Sequence, residues 1–116
     1  MKNQVIIFSK NRACQLNLLL DSIKYNAISL FDKISVLYVA DDEFKTGYEI
    51  VKQNHPTITF FLEQNFRRDF INLIDDDIEA TTFLVDDAVI FKQILTKKID
   101  IIKPVVDDYI IFSLRL

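Results

Sequence analysis

The sequence predicts one α/β domain, a three-layer fold whose mostly parallel sheet carries helices on both faces. Three observations predict it. Apolar blocks of strand character alternate with stretches of helical periodicity. The strand blocks are continuous apolar runs rather than in-out alternations, which marks strands covered on both faces, as in a parallel sheet. The chain has 116 residues, half of them hydrophobic, which suits a single domain with a proper core.

The elements follow in order. VIIFS (5–9) reads as a buried strand. Ala13 to Tyr25 reads as a helix, with Leu16, Leu20 and Ile23 on one stripe. ISVLYVA (34–40) is a second strand. Lys45 to Asn54 reads as a helix that Pro56 stops. TITFFL (57–62) is a third strand. Phe66, Phe70, Leu73 and Ile74 mark a further helix whose aromatic stripe belongs to the core. TTFLV (81–85) is a fourth strand and DYIIFSL (108–114) a fifth, with an ambiguous, partly helical stretch at 90–102 between them.

Composition narrows the function classes. The net charge is −3, and the isoelectric point lies near 5.0. A protein that binds nucleic acid by neutralising phosphates normally shows a basic patch, so no nucleic-acid partner is expected. Gly47 is the sole glycine, which excludes a P-loop and the GxGxxG dinucleotide fingerprint. The single cysteine, Cys14, permits no intramolecular disulfide and fits a reducing compartment. It is expected as a small buried side chain at a helix start. The apolar run after Met1 is too short for a signal-peptide core or a bilayer span. No transmembrane segment is expected. The expected location is the cytoplasm, with peripheral membrane contact left open.

In a parallel α/β sheet, ligands bind beyond the carboxyl ends of the strands, near the switch in strand order. Four short segments occupy those ends: SKNR (9–12), ADDE (40–43), EQN (63–65) followed by Arg67 and Arg68, and Asp86–Asp87. The last pair interrupts the apolar run FLVDDAVIF (83–91). Carboxylates are costly to remove from water unless paired, hydrogen-bonded or bound to a metal. Either the strand ends there and the pair is solvated, or the pair holds something. Carboxylate oxygens at such an edge suit a hard divalent cation. For Asp41 and Asp42, a turn that caps the following helix is an equally weighted reading. Asp75 to Asp77 read as a solvated loop that stops the third helix. His55 offers no partner as base or ligand.

VIIFSKNRACQLNLLLDSI resembles the opening of nucleotide-sugar glycosyltransferases of the GT-A type, in particular family 2. These begin with a strand, a short polar loop bearing an arginine, and an amphipathic helix. VLYVADDEFKTGYEIV resembles their second strand and loop, with Asp41, Asp42 and Gly47 in matching places. FLVDDAVIF resembles their metal-binding DxD strand. The resemblance implies a nucleotide-diphospho-sugar transferase-like fold over 1–116 and a divalent cation, Mn²⁺ or Mg²⁺. It implies a nucleotide-diphosphate sugar as donor and an acceptor it does not specify. It further implies that Asp41 hydrogen-bonds the nucleobase, with Ser9 and Arg12 lining the same pocket. Arg67 or Arg68 would touch the base or a phosphate. Asp86 would face the ribose or the hydration shell of the metal, and Asp87 would approach the metal itself.

The sequence departs from that pattern in places. Position 88 is Ala where a strict DxD has an acid, Glu43 and Phe44 stand where Gly and Ser are usual, and Ala13 stands where Pro is common. The family's acceptor-binding half and usual base lie beyond the point where this sequence stops. The expectation is therefore the nucleotide-binding half of such an enzyme, incomplete at its C-terminus, with no catalytic residue to name. The alternative is a non-catalytic α/β module that binds a nucleotide or a protein. A sheet cut after its fifth strand would leave an apolar edge, which predicts a homodimer through that edge or poor solubility.

Overall fold

The computed structural model describes residues 2–27, 30–75 and 77–90. Within them the chain runs β1 (Asn3–Lys10), α1 (Ala13–Asn26), β2 (Lys33–Val39), a 3₁₀ turn (Asp42–Phe44), α2 (Lys45–Asn54), β3 (Thr59–Leu62), α3 (Phe66–Leu73) and β4 (Ala80–Val85). The expected fifth strand, and the ambiguous stretch from 91 on, lie outside the described residues.

The four strands form one sheet in the order β3-β2-β1-β4. All three pairings are parallel. The chain steps from β1 to β2 to β3 and then returns to the far side of β1. Crossovers between parallel strands are right-handed almost without exception, so reversing the direction of travel moves the connecting helix to the opposite face. The packing obeys this. Leu16, Leu19, Leu20 and Ile23 of α1 join Tyr48 and Val51 of α2 against Val5, Ile7, Val36 and Tyr38 on one face. Leu73 of α3 packs with Ile6 and Leu37 on the other, with Phe8 beside them. The result is the expected three-layer α/β architecture.

The two faces are unequally covered. The α1–α2 side is a continuous buried core. On the α3 side, Phe8, Phe66, Phe70 and Phe83 form an aromatic cluster with ring centroids 5.5–6.2 Å apart. Phe66 and Phe83 nevertheless stay 52% and 49% exposed. Among the described residues the aromatic stripe of α3 is thus a half-covered layer rather than closed core: Phe70 stacks on Phe83 of β4, yet this short helix leaves about half of Phe83 uncovered.

Local chemistry sets the element boundaries. Asn65 caps α3, its side chain accepting the Arg68 amide at 3.0 Å. The Asp69 carboxylate reaches back to the Gln64 and Asn65 amides at 2.8 and 3.0 Å. Those two bonds, the first above all, hold its carboxyl below the usual range. After α3, Asp75 accepts the Asp77 amide at 2.9 Å and faces Lys33 at 3.6 Å, so these two acids lie in a polar turn past the helix end, as expected. Gly47 lies where α1 and α2 approach: a Cβ there would stand 3.0 Å from the Ala13 Cβ. Cys14 is exposed rather than buried, because it sits on the outer side of the first turn of α1.

Candidate functional site

The switch in strand order falls between β1 and β4, since both neighbouring connections leave that point in opposite directions. The register places Phe8 opposite Val85, the last residue of β4. The next residue on each strand is Ser9 and Asp86. A turn follows at once, closed by the Ala88 amide on the Val85 carbonyl at 3.1 Å. The strand does end there, yet the two aspartates part company. Asp86 is buried, with 7% of its surface exposed, whereas the Asp87 side chain is 61% exposed.

Burial of Asp86 is compensated by hydrogen bonds. Its Oδ2 accepts from the Ser9 hydroxyl at 2.9 Å and from the Lys10 amide at 3.4 Å. The Arg12 guanidinium lies 4.0 Å from Asp86 Oδ1 and 3.9 Å from Asp87 Oδ2. Ser9 also meets the Tyr48 hydroxyl at 2.6 Å, and that hydroxyl accepts the Arg12 amide at 3.0 Å. Four segments therefore converge: the end of β1, the start of α1, α2, and the turn after β4.

Beside this cluster a cleft of about 430 Å³ opens at the carboxyl ends of the strands, toward the α3 side. Phe8, Leu37 and Val85 form its apolar floor, while Arg12, Glu63 and Asp86 supply its polar groups. It has the composition of a small-ligand site: apolar walls with a few convergent polar atoms.

Of the residues that the sequence singles out, Ser9, Arg12, Asp86 and Asp87 come together here. Asp41 stands slightly apart. Its carboxylate accepts from the Asn11 side chain at 2.8 Å and its amide donates to the same side chain at 2.9 Å. The expected turn forms, closed by the Phe44 amide on the Asp41 carbonyl at 2.8 Å and leading straight into α2, but no side chain caps it. Arg67 projects from the first turn of α3 and is exposed, and the cleft is lined on that side by Phe66 instead.

Two participants in the site, Tyr48 and Asn11, and one buried residue away from it, His55, have partners that the sequence does not reveal. Tyr48 carries no signal of its own on α2, although a buried tyrosine hydroxyl normally needs a polar partner. Asn11 adopts a left-handed backbone, φ 54°, a conformation Asn tolerates better than most residues. There it donates its amide to the Val39 carbonyl at 3.1 Å and clamps the β1 loop to the β2 loop. His55, which had no visible partner, is buried between α1 and α2. Its Nε2 lies 3.0 Å from Asn17 Oδ1 and 3.5 Å from Asp21 Oδ1.

Among the described residues no group of three or more His, Cys, Asp or Glu side chains is placed to hold a metal ion. Among the same residues no helix is long and apolar enough to cross a membrane.

No family model matches the chain. Over 105 residues the chain is 32% identical to the bifunctional glycosyltransferase pgtA of Dictyostelium discoideum, a similarity that takes in 82% of this chain. The chain spans 14% of that protein's length. The similarity supports a glycosyltransferase-like relationship.

Proposed function

We propose that this chain is the donor-binding part of a glycosyltransferase-like enzyme that takes a nucleotide-diphosphate sugar together with a divalent cation. The observation that carries the reading is the constellation of Asp86, Asp87 and Arg12 at the β1–β4 switch point, beside a cleft of about 430 Å³. A charged ligand is expected at such a crevice. The similarity to a glycosyltransferase supports assigning that ligand to a sugar donor.

The donor set suits Mn²⁺ or Mg²⁺. Asp87 offers an exposed carboxylate, and Asp86 keeps Oδ1 outside the Ser9 and Lys10 hydrogen bonds, beside Arg12. Hard cations of this kind keep several waters and are often held by one or two carboxylates plus substrate phosphates. A two-carboxylate site completed by the diphosphate therefore fits, with Ala88 supplying nothing. The bound cation would stabilise negative charge on the departing nucleoside diphosphate. The chain's own residues do the rest. Arg12 draws the anionic diphosphate toward the acidic pair and offsets their repulsion. Asp41, held by Asn11 on the loop after β2, would accept from a nucleobase amide that reaches past the cleft.

The test is a thermal-shift panel with UDP, GDP and their sugar conjugates, with and without Mn²⁺. A ligand that binds the native state raises the melting temperature by mass action. A metal-dependent rise with one nucleotide family, lost in Asp87→Asn, is expected. No rise with any of them contradicts the reading.

A second reading, a non-catalytic α/β interaction module, is favoured by the exposed aromatic face at Phe66 and Phe83. Concentration-dependent association that persists in Asp87→Asn, without nucleotide binding, would favour it over the enzyme.

A further inference from the structure

The hydrogen bonds behind Asp86 run in a fixed order. A carboxylate oxygen only accepts, so the Ser9 hydroxyl donates to Asp86 Oδ2 at 2.9 Å. Ser9 has then used its proton, so the Tyr48 hydroxyl is the donor in the 2.6 Å contact between them. The Tyr48 oxygen in turn accepts the Arg12 amide at 3.0 Å. The chain Arg12 N–H, Tyr48 O–H, Ser9 O–H, Asp86 carboxylate thus has one polarity. Each link strengthens the next in a site shielded from water. Tyr48 is fully buried and its ring stacks on Tyr38 at 4.7 Å, so its hydroxyl has no freedom to wander.

The consequence concerns which oxygen of Asp86 a ligand meets. Oδ2 is engaged by Ser9 and Lys10, and Oδ1 is the atom nearest Arg12. We propose that Tyr48 is a positioning residue of this cleft. Through Ser9 it holds the Asp86 carboxylate in one rotamer, with Oδ2 engaged and Oδ1 left beside Arg12 for a ligand, and through the Arg12 amide it fixes the root of the guanidinium-bearing residue. Tyr48 itself touches no ligand. One hydroxyl on α2 thereby sets both an acidic and a basic group of the site. The ligand side of this inference rests on the donor-binding reading above.

Tyr48→Phe keeps the ring and its stacking and removes only the hydroxyl. Ser9→Ala breaks the same chain one link later. Two readouts are taken at a temperature where each variant is fully folded: the Asp86 side-chain rotamer from three-bond NMR couplings, and the affinity for UDP or GDP with Mn²⁺. Both variants are expected to convert Asp86 from one rotamer to an average. The affinity should fall about fivefold, the fold-change of one lost hydrogen bond. The double variant should lose less than the sum of the two single losses, because both changes reach Asp86 through the Ser9 hydroxyl, while only Tyr48→Phe also frees the Arg12 amide. A merely structural role would lower the melting temperature and move neither readout. Unchanged Asp86 couplings overturn the proposal whatever the titration shows, as do averaged couplings with unchanged affinity. Averaged couplings in a protein whose wild type binds no nucleotide would overturn the donor-binding reading and leave the positioning of Asp86 supported.

Discussion

The Asp86 carboxylate accepts a 2.9 Å hydrogen bond from Ser9, a residue 77 positions earlier in the chain. The contact exists because β4 inserts beside β1 rather than beside β3, and because the register brings Ser9 and Asp86 level just past the Phe8–Val85 pair. One step of register would turn Asp86 to the other face of the sheet and away from Ser9 and Tyr48. The topology therefore makes the site, and the substitutions below separate what supports the fold from what serves the cleft.

Arg12→Ala should leave stability nearly unchanged. The Arg12 side chain is 53% exposed and its ion pairs are long, and exposed pairs of this kind contribute ~0–1 kcal/mol. Ligand binding should respond in opposite directions. Mn²⁺ alone should bind more tightly once the neighbouring cation is gone, and nucleoside diphosphate should bind more weakly. Isothermal titration of each ligand checks this, and equal losses for both would refute it.

Gly47→Ala should destabilise the fold by about 1 kcal/mol. Ala gains roughly 1 kcal/mol over Gly in a helix interior. Against that, its Cβ would meet the Ala13 Cβ at 3.0 Å, and overpacking of that sort costs about 1–3 kcal/mol. Ala13→Gly in the same chain should relieve the clash, although glycine there has its own helix cost. Urea denaturation of the single and double variants measures the coupling.

His55 predicts a pH dependence. Burial, more than any neighbouring charge, pushes its pKa below the ordinary value of 6.5. Asp21 pulls in the other direction and Lys24 reinforces the decrease. A base whose pKa is lower in the folded state binds fewer protons there than in the unfolded chain. Stability should be fully present above pH 6.5 and decline as the pH falls from 6.5 toward the depressed value. Melting curves between pH 8 and 5 should show the decline in the wild type and a smaller one in His55→Gln.

Asn65→Ala should cost about 1 kcal/mol, the usual effect of losing a side-chain N-cap. Asp69 supports the same helix start, and its depressed pKa makes that support present above the ordinary value of 3.8 and lost as the pH falls through the folded value. Because α3 carries Phe66 into the cleft lining, both changes should also weaken ligand binding. Intact binding in Asn65→Ala would detach α3 from the site.

The strands and helices were legible because each is a long enough apolar run or stripe. Lys45–Asn54 matches its expected bounds, since Pro56 and the polar loop before it mark both ends. β3 begins two residues later than expected, at Thr59 instead of Thr57, because a turn occupies the residues after Pro56. The strand-end acids were legible as a group, because a parallel sheet gathers its carboxyl ends on one edge. What periodicity cannot show is where a hydroxyl lands across 39 positions, and so nothing in the sequence marks Tyr48. Nor could it show that Asp86 and Asp87 differ, since burial of one depends on the register with β1. The half-bare aromatic face was equally hidden, because a stripe tells which side of α3 is apolar and not how much sheet the helix covers.

The most direct measurement is an amide NMR map of the ¹⁵N-labelled chain titrated with UDP or GDP in the presence of Mg²⁺. The account predicts metal-dependent shifts centred on Lys10, Arg12, Asp86 and Asp87, with smaller ones at Asn11 and Asp41. Shifts confined to the exposed aromatic face, or a spectrum that ignores both nucleotides, would contradict it.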